Sequence, residues 1–307
     1  MRKIIVFIII VLLLAVGFIY FFIPSTIKLT AANNIKCTVN ELNTCLRDQD
    51  KWREWFPGKK EPFVFNEFQY SEKEQKLNGA DIDISNPQYI FHSSLIGLSL
   101  TPDSLLASWS TEIKNDLNPI TRINHYMQAS RLQKDMQIIL DSLKSFASHA
   151  INVYGFNIRR TSFDDSLLLS KKQIYILKPD LEEQYRVING LKEYITSKRA
   201  TILDSPMVNM APEAKGYRMQ IAIAIDHEIA ENDEYKLIRM VHINGKYVTA
   251  DVFGGPDKIQ KAHEQIEAFM KDHFLTSPGI PFEIYITDRK KELDSSKWKT
   301  RIYYPST

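Results

Sequence analysis

Cysteine is scarce: only Cys37 and Cys45 occur in 307 residues. With no His pair close by, they exclude a zinc site of the usual Cys/His spacing. They lie eight residues apart across a strand-to-helix junction, and are either one disulfide of an oxidising compartment or two packed thiols. Charge of one sign is lacking too. Thirty-nine basic side chains face 37 acidic ones, a net of +2, so there is no electrostatic footprint for a polyphosphate and nucleic acid is not an expected partner. Neither Gly-x-Ser-x-Gly, His-Glu-x-x-His nor a glycine-rich phosphate loop occurs, and Gly254-Gly255 reads as a bend before a helix. The seven histidines (His92, His125, His149, His227, His242, His263, His273) are scattered without metal-ligand spacing. Most are expected to be solvated, and neither a metal nor a cofactor is expected.

What is present begins at the amino terminus. From Ile4 to Ile23 the chain carries no charge, and about 20 residues at about 1.5 Å each span the hydrocarbon layer. A cleaved signal would have a shorter apolar core ending in small residues, and Phe21-Phe22-Ile23-Pro24 supplies none. Arg2 and Lys3 precede the run and the next cation is Lys28, so the positive-inside bias leaves the rest of the chain outside. The expectation is a single-pass protein of the inner (cell) membrane of a bacterium, its soluble part extracytoplasmic.

After a polar spacer, Ser25–Asn34, the alternation in Ile35–Val39 suggests a strand, followed by a helix over Glu41–Asp48 and the WREWFPG segment. Val64–Tyr70, Gln75–Ile84, Tyr89–Leu100 and Ser104–Lys114 are β-rich, with turn residues such as Asn78-Gly79 and Asn86-Pro87 among them. That is an antiparallel meander. From Ile120 to Ala150, Leu132, Met136, Ile139, Leu140, Leu143 and Ala147 recur at helical spacing. One long helix therefore closes the first domain.

The second half repeats itself with a period of roughly 75 residues, right for two strand-helix-strand-strand modules. Each helix opens at Pro-Asp (Pro179-Asp180, Pro256-Asp257) and carries an apolar stripe. Such duplication makes a concave surface, and ligands sit at such seams. The fold class is α+β: a transmembrane anchor over 1–24, a domain over 34–150 with an antiparallel sheet and a long C-terminal helix, and a duplicated domain over 151–307.

The helix opening GGPDKIQKAHEQIEAFM and the strand PFEIYITD followed by KWKTRIYYP resemble the GyrI-like (AraC-type effector-binding) small-molecule-binding domain, of SHS2 type, over half the chain. CLRDQDKWREWFPG, ahead of the meander and long helix, resembles the START-like (polyketide cyclase, SRPBCC) helix-grip superfamily, through Trp52, Trp55 and Pro57. The GyrI-like domain is often fused to a helix-turn-helix. None is visible here, which argues against a transcriptional role. The resemblance implies a ligand-facing glutamate at Glu283, a cationic or hydrophobic small molecule as partner and, in some members, hydrolysis with a glutamate base.

Alternation in Phe282–Thr287 puts Glu283, Tyr285 and Thr287 on one face and Phe282, Ile284 and Ile286 on the other. One carboxylate about 4 Å from a cation gives about 4 kcal/mol at a dielectric of 20, about a millimolar constant. Aromatic contacts are needed as well. Tyr175, Tyr247, Phe253 and Trp298 are the candidates, each either a ligand face or a core side chain. Glu283 is a ligand contact, a surface carboxylate or one half of an ion pair with Arg301. Trp52, Trp55 and Trp109 either line a cavity in the first domain or fill it. Three functions stay open: a membrane-anchored small-molecule-binding protein, a hydrolase with Glu283 as general base and Tyr285 as its partner, and an unliganded scaffold of an envelope assembly.

Overall fold

The computed structural model describes residues 2–162, 167–240 and 246–307. The chain divides into two compact units, Met1–His149 and Ala150–Thr307, each built on one antiparallel sheet.

The first unit opens with α1 (Arg2–Phe22). Within it Lys3–Phe22, 20 residues with mean hydropathy 3.3, is long and apolar enough to cross a membrane. No spacer follows. Ser25–Asn34 contributes almost all of a ten-residue strand, β1 (Thr26–Ile35), because Ile27, Leu29, Ala31 and Ile35 turn inward while Lys28 and Thr30 point out. The stretch expected as a strand, Ile35–Val39, is the end of β1 and the cap of α2 (Val39–Arg47). The Thr38 hydroxyl accepts from the Glu41 N–H at 3.1 Å and the Glu41 carboxylate accepts from the Thr38 N–H at 2.7 Å, a capping box that starts the helix there.

WREWF lies on and just after α3 (Gln49–Trp55). Next come β2 (Lys59–Lys60), β3 (Phe63–Phe65), β4 (Phe68–Lys76), β5 (Gly79–Ser85), β6 (Ile90–Thr101) and β7 (Ser104–Lys114). The sheet order is β1-β7-β6-β5-β4-β3-β2, so the first strand closes onto the last, from Thr26 opposite Lys114 to Ile35 opposite Leu105. The long helix α4 (Pro119–Ala147), capped by Asn118, grips this sheet with Leu132, Met136, Ile139, Leu140 and Leu143. The tryptophans fill the interior. Trp109 is 1 % exposed and Trp52 and Trp55 3 %, and the Trp52 and Trp55 indoles donate to the carbonyls of Leu46 and Cys45 at 2.6 and 3.1 Å. Cys37 and Cys45 are buried free thiols.

The second unit runs α5 (Ala150–Tyr154), β8 (Arg159–Thr161), β9 (Leu167–Tyr175), α6 (Leu181–Ser197), β10 (Met207–Glu213), β11 (Gly216–Ile225), β12 (Lys236–Arg239), β13 (Tyr247–Phe253), α7 (Pro256–Asp272), β14 (Phe282–Tyr285) and β15 (Lys299–Pro305). Its sheet, β12-β9-β11-β10-β14-β15-β13-β8, places the two modules back to back about the β10/β14 pair. That seam is a hydrogen-bonded ladder, Met207 opposite Ile284 and Val208 opposite Glu283. The two helix openings differ. Asp180 is the cap of α6 and accepts from the Glu183 N–H at 2.8 Å, whereas in α7 Pro256 is the first residue and Gly255 caps without a side chain.

Candidate functional site

Both helices of the second unit cover one sheet face. Tyr185, Ile188 and Leu191 of α6 pack there with Ile221, Ile223 and Tyr285. Leu168, Met207, Ala222, Tyr247, Ile284 and Tyr303 cluster on the opposite face. Glu283 and Tyr285 are therefore on the helix face.

Glu283 is four-fifths buried, and both its oxygens are engaged. Oε1 lies 3.3 Å from Nε2 of His263 and Oε2 lies 3.6 Å from the Arg289 guanidinium. The alternative partner, Arg301, is not used. It stands opposite Ile284 in the β14/β15 ladder and so projects from the other face. There it meets Asp251, its partner across β13/β15, with Nε 2.5 Å from the carboxylate. That hydrogen bond holds the Asp251 carboxyl below its ordinary range and pushes the Arg301 guanidinium up.

Arg289 is the centre of the cluster. Its side chain is 6 % exposed, its guanidinium carbon lies 3.4 Å from the Tyr285 ring centroid and 4.9 Å from that of Trp298, and one terminal nitrogen donates to Thr300 Oγ1 at 2.7 Å. Its backbone N–H donates to the Tyr185 hydroxyl at 2.6 Å. Its buried Nε finds no hydrogen-bond partner among the described residues. Around this cation the walls are fixed: the Tyr285 hydroxyl donates to Gln184 Oε1 at 2.9 Å, Gln184 donates to the Pro179 carbonyl at 3.1 Å, and the Trp298 indole donates to the Glu292 carbonyl at 2.8 Å. Burial, then the neighbouring Glu283 charge, pushes the Tyr285 phenol up.

On the other side of Glu283 a polar chain leads through α7. Nδ1 of His263 lies 2.9 Å from the Tyr304 hydroxyl, which donates to Glu267 Oε1 at 3.0 Å. Burial followed by Glu267 raises the Tyr304 phenol.

Of the residues singled out from sequence, Glu283, Tyr285 and Trp298 come together. Tyr247 does not join them: Val248 is opposite Tyr304 in the β13/β15 ladder, so its neighbour Tyr247 projects from the other face, beside Phe282 and Tyr303. Tyr175 is also apart, three strands away from β14, about 14 Å across the sheet. Its hydroxyl donates to Glu183 at 2.6 Å. Phe253 is 56 % exposed at the end of β13, under the Lys299 ammonium.

Arg289, His263 and Gln184 were missed. His263 was legible: it falls on the stripe Ile259, Ala262, Ile266 that faces the sheet, so it is 20 % exposed rather than solvated. Arg289 carries no such signal, being one of five cations and acids in a row from Asp288 to Glu292.

Open hollows lie elsewhere. One of about 410 Å³ lies at the start of α7, lined by Phe253, Gly255, Lys258 and Ser295. Another, about 600 Å³, opens on the first unit beside Tyr89, His92, Thr111 and His125. Neither borders Glu283. Among the described residues no cluster of three or more His, Cys, Asp or Glu side chains is arranged to hold a metal ion.

No protein-family model matches the chain, and no curated protein matches it. Similar solved structures include the EcmrR C-terminal domain, 17% identical over 50% of this chain and 98% of that one, with a TM-score of 0.43. A hydrolase from Listeria innocua is 14% identical over 49% of this chain and 91% of its own, TM-score 0.40. The Zhui aromatase/cyclase from Streptomyces sp. R1128 is 7% identical over 40% of this chain and 93% of its own, TM-score 0.28.

Proposed function

We propose that this is a membrane-anchored small-molecule-binding protein whose ligand is an aromatic or amphipathic cation, held at Glu283, Tyr285 and Trp298 in place of the chain's own Arg289. One observation carries the reading: a guanidinium lies 3.4 Å from one aromatic ring centroid, 4.9 Å from a second and 3.6 Å from a carboxylate. Two flat faces and a negative oxygen pair are what such a cation needs. Arg289 is a removable occupant because it belongs to the loop between β14 and β15 rather than to the sheet, and because its Nε is buried without a hydrogen-bond partner among the described residues, a deficit of about 1–3 kcal/mol that departure relieves. The helix Lys3–Phe22 supplies the anchor.

The test is titration of the full chain with tetraphenylphosphonium, a permanent cation bearing four aryl faces, by calorimetry. Arg289→Ala is expected to tighten binding about 10- to 100-fold, since an apparent constant is weakened by the fraction of sites already filled. Glu283→Gln is expected to weaken it about tenfold or more. Equal binding by all three proteins would remove Glu283 and Arg289 from the site.

A hydrolase reading has its own observation, the His263–Glu283 couple at 3.3 Å, which supplies a carboxylate base with a proton acceptor behind it. Ligand recovered chemically unchanged from wild-type protein decides for binding. Turnover lost in Glu283→Gln with the fold intact decides for catalysis.

A further inference from the structure

The first two turns of α4 expose large apolar side chains at Ile120 (70 %), Ile123, Tyr126 and Met127, and Leu117 just before the helix is 83 % exposed. Ile120, Ile123 and Met127 are spaced i, i+3, i+7 and share a stripe with Tyr126 beside it. The opposite stripe of the same turns buries Arg122, His125 and Ala129. The apolar stripe is thus not the face that grips the sheet.

Its position is set by the end of α1. The Arg122 guanidinium donates two hydrogen bonds to the Ile23 carbonyl, at 2.8 and 2.5 Å, and lies 4.6 Å from the Tyr20 ring centroid. The Tyr20 hydroxyl donates to the Leu117 carbonyl, and Asn115 donates to the carbonyls of Pro24 and Ser25 at 2.6 and 2.9 Å. The cation at the helix C-terminus satisfies an orphan carbonyl and fits the sign of the dipole. These contacts hold the start of α4 against the last turn of the apolar helix. Only Ile23, Pro24 and Ser25 separate that helix from β1, so the first unit has no tether on which to stand away.

From this geometry we infer that the stripe Leu117, Ile120, Ile123, Tyr126 and Met127 lies in the headgroup region of the same bilayer that α1 crosses, making α4 an interfacial helix at its N-terminal end. The inference rests on the anchored reading of Lys3–Phe22. The occupant is lipid because the stripe is continuous with the span. Twenty residues at about 1.5 Å exhaust the hydrocarbon thickness at Phe22. Tyr20, Phe21 and Phe22 form the aromatic rim at the interface, and Leu117 is hydrogen-bonded to that rim. An apolar stripe at this level meets the boundary between acyl chains and headgroups, where amphipathic helices lie.

The test uses the full chain in vesicles of phosphatidylcholine and phosphatidylglycerol, with an environment-sensitive dye on a single introduced thiol. Cys37 and Cys45 are buried and do not compete. Ile120→Cys and Met127→Cys probe the stripe, and Ile138→Cys, exposed on the same side of α4 about 27 Å along the axis from Ile120, is the control. Lipids carrying a shallow spin label are expected to lower emission at 120 and 127 about twofold or more and to leave 138 unchanged. Protein that resists carbonate extraction yet shows no more quenching at 120 than at 138 overturns the inference while the anchor stands. Shielding of 120 from aqueous iodide without quenching by lipid also overturns it, assigning the stripe to a second copy or another protein. Extraction by carbonate removes the anchor itself and the inference with it.

Discussion

Replacing Arg289 by Met removes the cation between Tyr285 and Trp298 while keeping a side chain that fills much of the space. At 3.6 Å and an effective dielectric of 20 the attraction to Glu283 is about 5 kcal/mol before desolvation. Each ring contact adds about 0.5–2 kcal/mol. Desolvation of two ions offsets most of this, so the pair as a whole stabilises little, but removing one partner strands the other. Glu283 is four-fifths buried beside the stripped rings, so Arg289→Met is expected to destabilise the second unit by about 3 kcal/mol. For a unit of this size that lowers Tm by about 6–12 °C. Glu283→Gln is expected to cost about 2 kcal/mol, because Arg289 then stands without a charge partner. The double variant leaves no buried charge, and its expected loss is about 1–2 kcal/mol, giving a coupling of about 3 kcal/mol. The assay is urea unfolding of the full chain in detergent, the two units followed separately by hydrogen exchange. Single losses that add to within about 0.5 kcal/mol in the double variant would refute the reasoning, since they would mean that Arg289 and Glu283 do not sense each other.

Three further outcomes follow from titrating groups. Asp135 is 4 % exposed under the first sheet, and burial pushes its carboxyl above the ordinary range against the hydrogen bond from Asn66. An acid raised in the folded state weakens folding once the pH exceeds its unfolded value, so Asp135→Asn is expected to stabilise the first unit by about 1 kcal/mol at pH 7, with no gain below about pH 3; unfolding at both pH values checks this. Glu183 behaves oppositely: hydrogen bonds from Arg186 and Tyr175 hold its carboxyl down to about 2, so its stabilisation is complete above the unfolded value and is lost as pH falls from about 4.5 to 2. Glu183→Gln should flatten the acid limb of the second unit by less than about 1 kcal/mol, the pair being partly solvated. Burial pushes the Cys45 thiol up to about 12 and raises Cys37 as well; neither is expected to react with a maleimide at pH 7 until urea unfolds the first unit, and rapid labelling of native protein would contradict the packing around them.

The α+β architecture was legible wherever a period was long enough to register. Leu132, Met136, Ile139 and Leu143 announce α4, and the alternation in Tyr89–Leu100 and Ser104–Lys114 announces β6 and β7. β1 was obscured because its outward residues, Thr30, Ala32 and Asn34, are small or polar, and its inward set includes Ala31, so Ser25–Asn34 resembles a linker. Only its pairing with β7 reveals it, and that partner lies some 80 residues downstream. The capping box at Thr38 and Glu41 was a local signal that would have moved the helix start to Val39.

The candidate site shows where local patterning ends. Alternation along β14 is enough to place Glu283 beside Tyr285, because both facts live within one strand. What the carboxylate touches is decided by register and by a loop. The ladder sets Arg301 against Ile284 and so turns it from Glu283, whereas Arg289 reaches Glu283 from the irregular segment after β14, where no period marks it. Nor does the duplication explain the chemistry. Across the seam Val208 is the register partner of Glu283, so the first module offers an aliphatic group where the second offers a charge. A repeat can join two half-sheets edge to edge and put two helices on one face, but the asymmetry at Val208 and Glu283 means that a single module carries the carboxylate, and the residue that lies against it and the rings of Tyr285 and Trp298 is Arg289, from a loop that the repeat does not pattern.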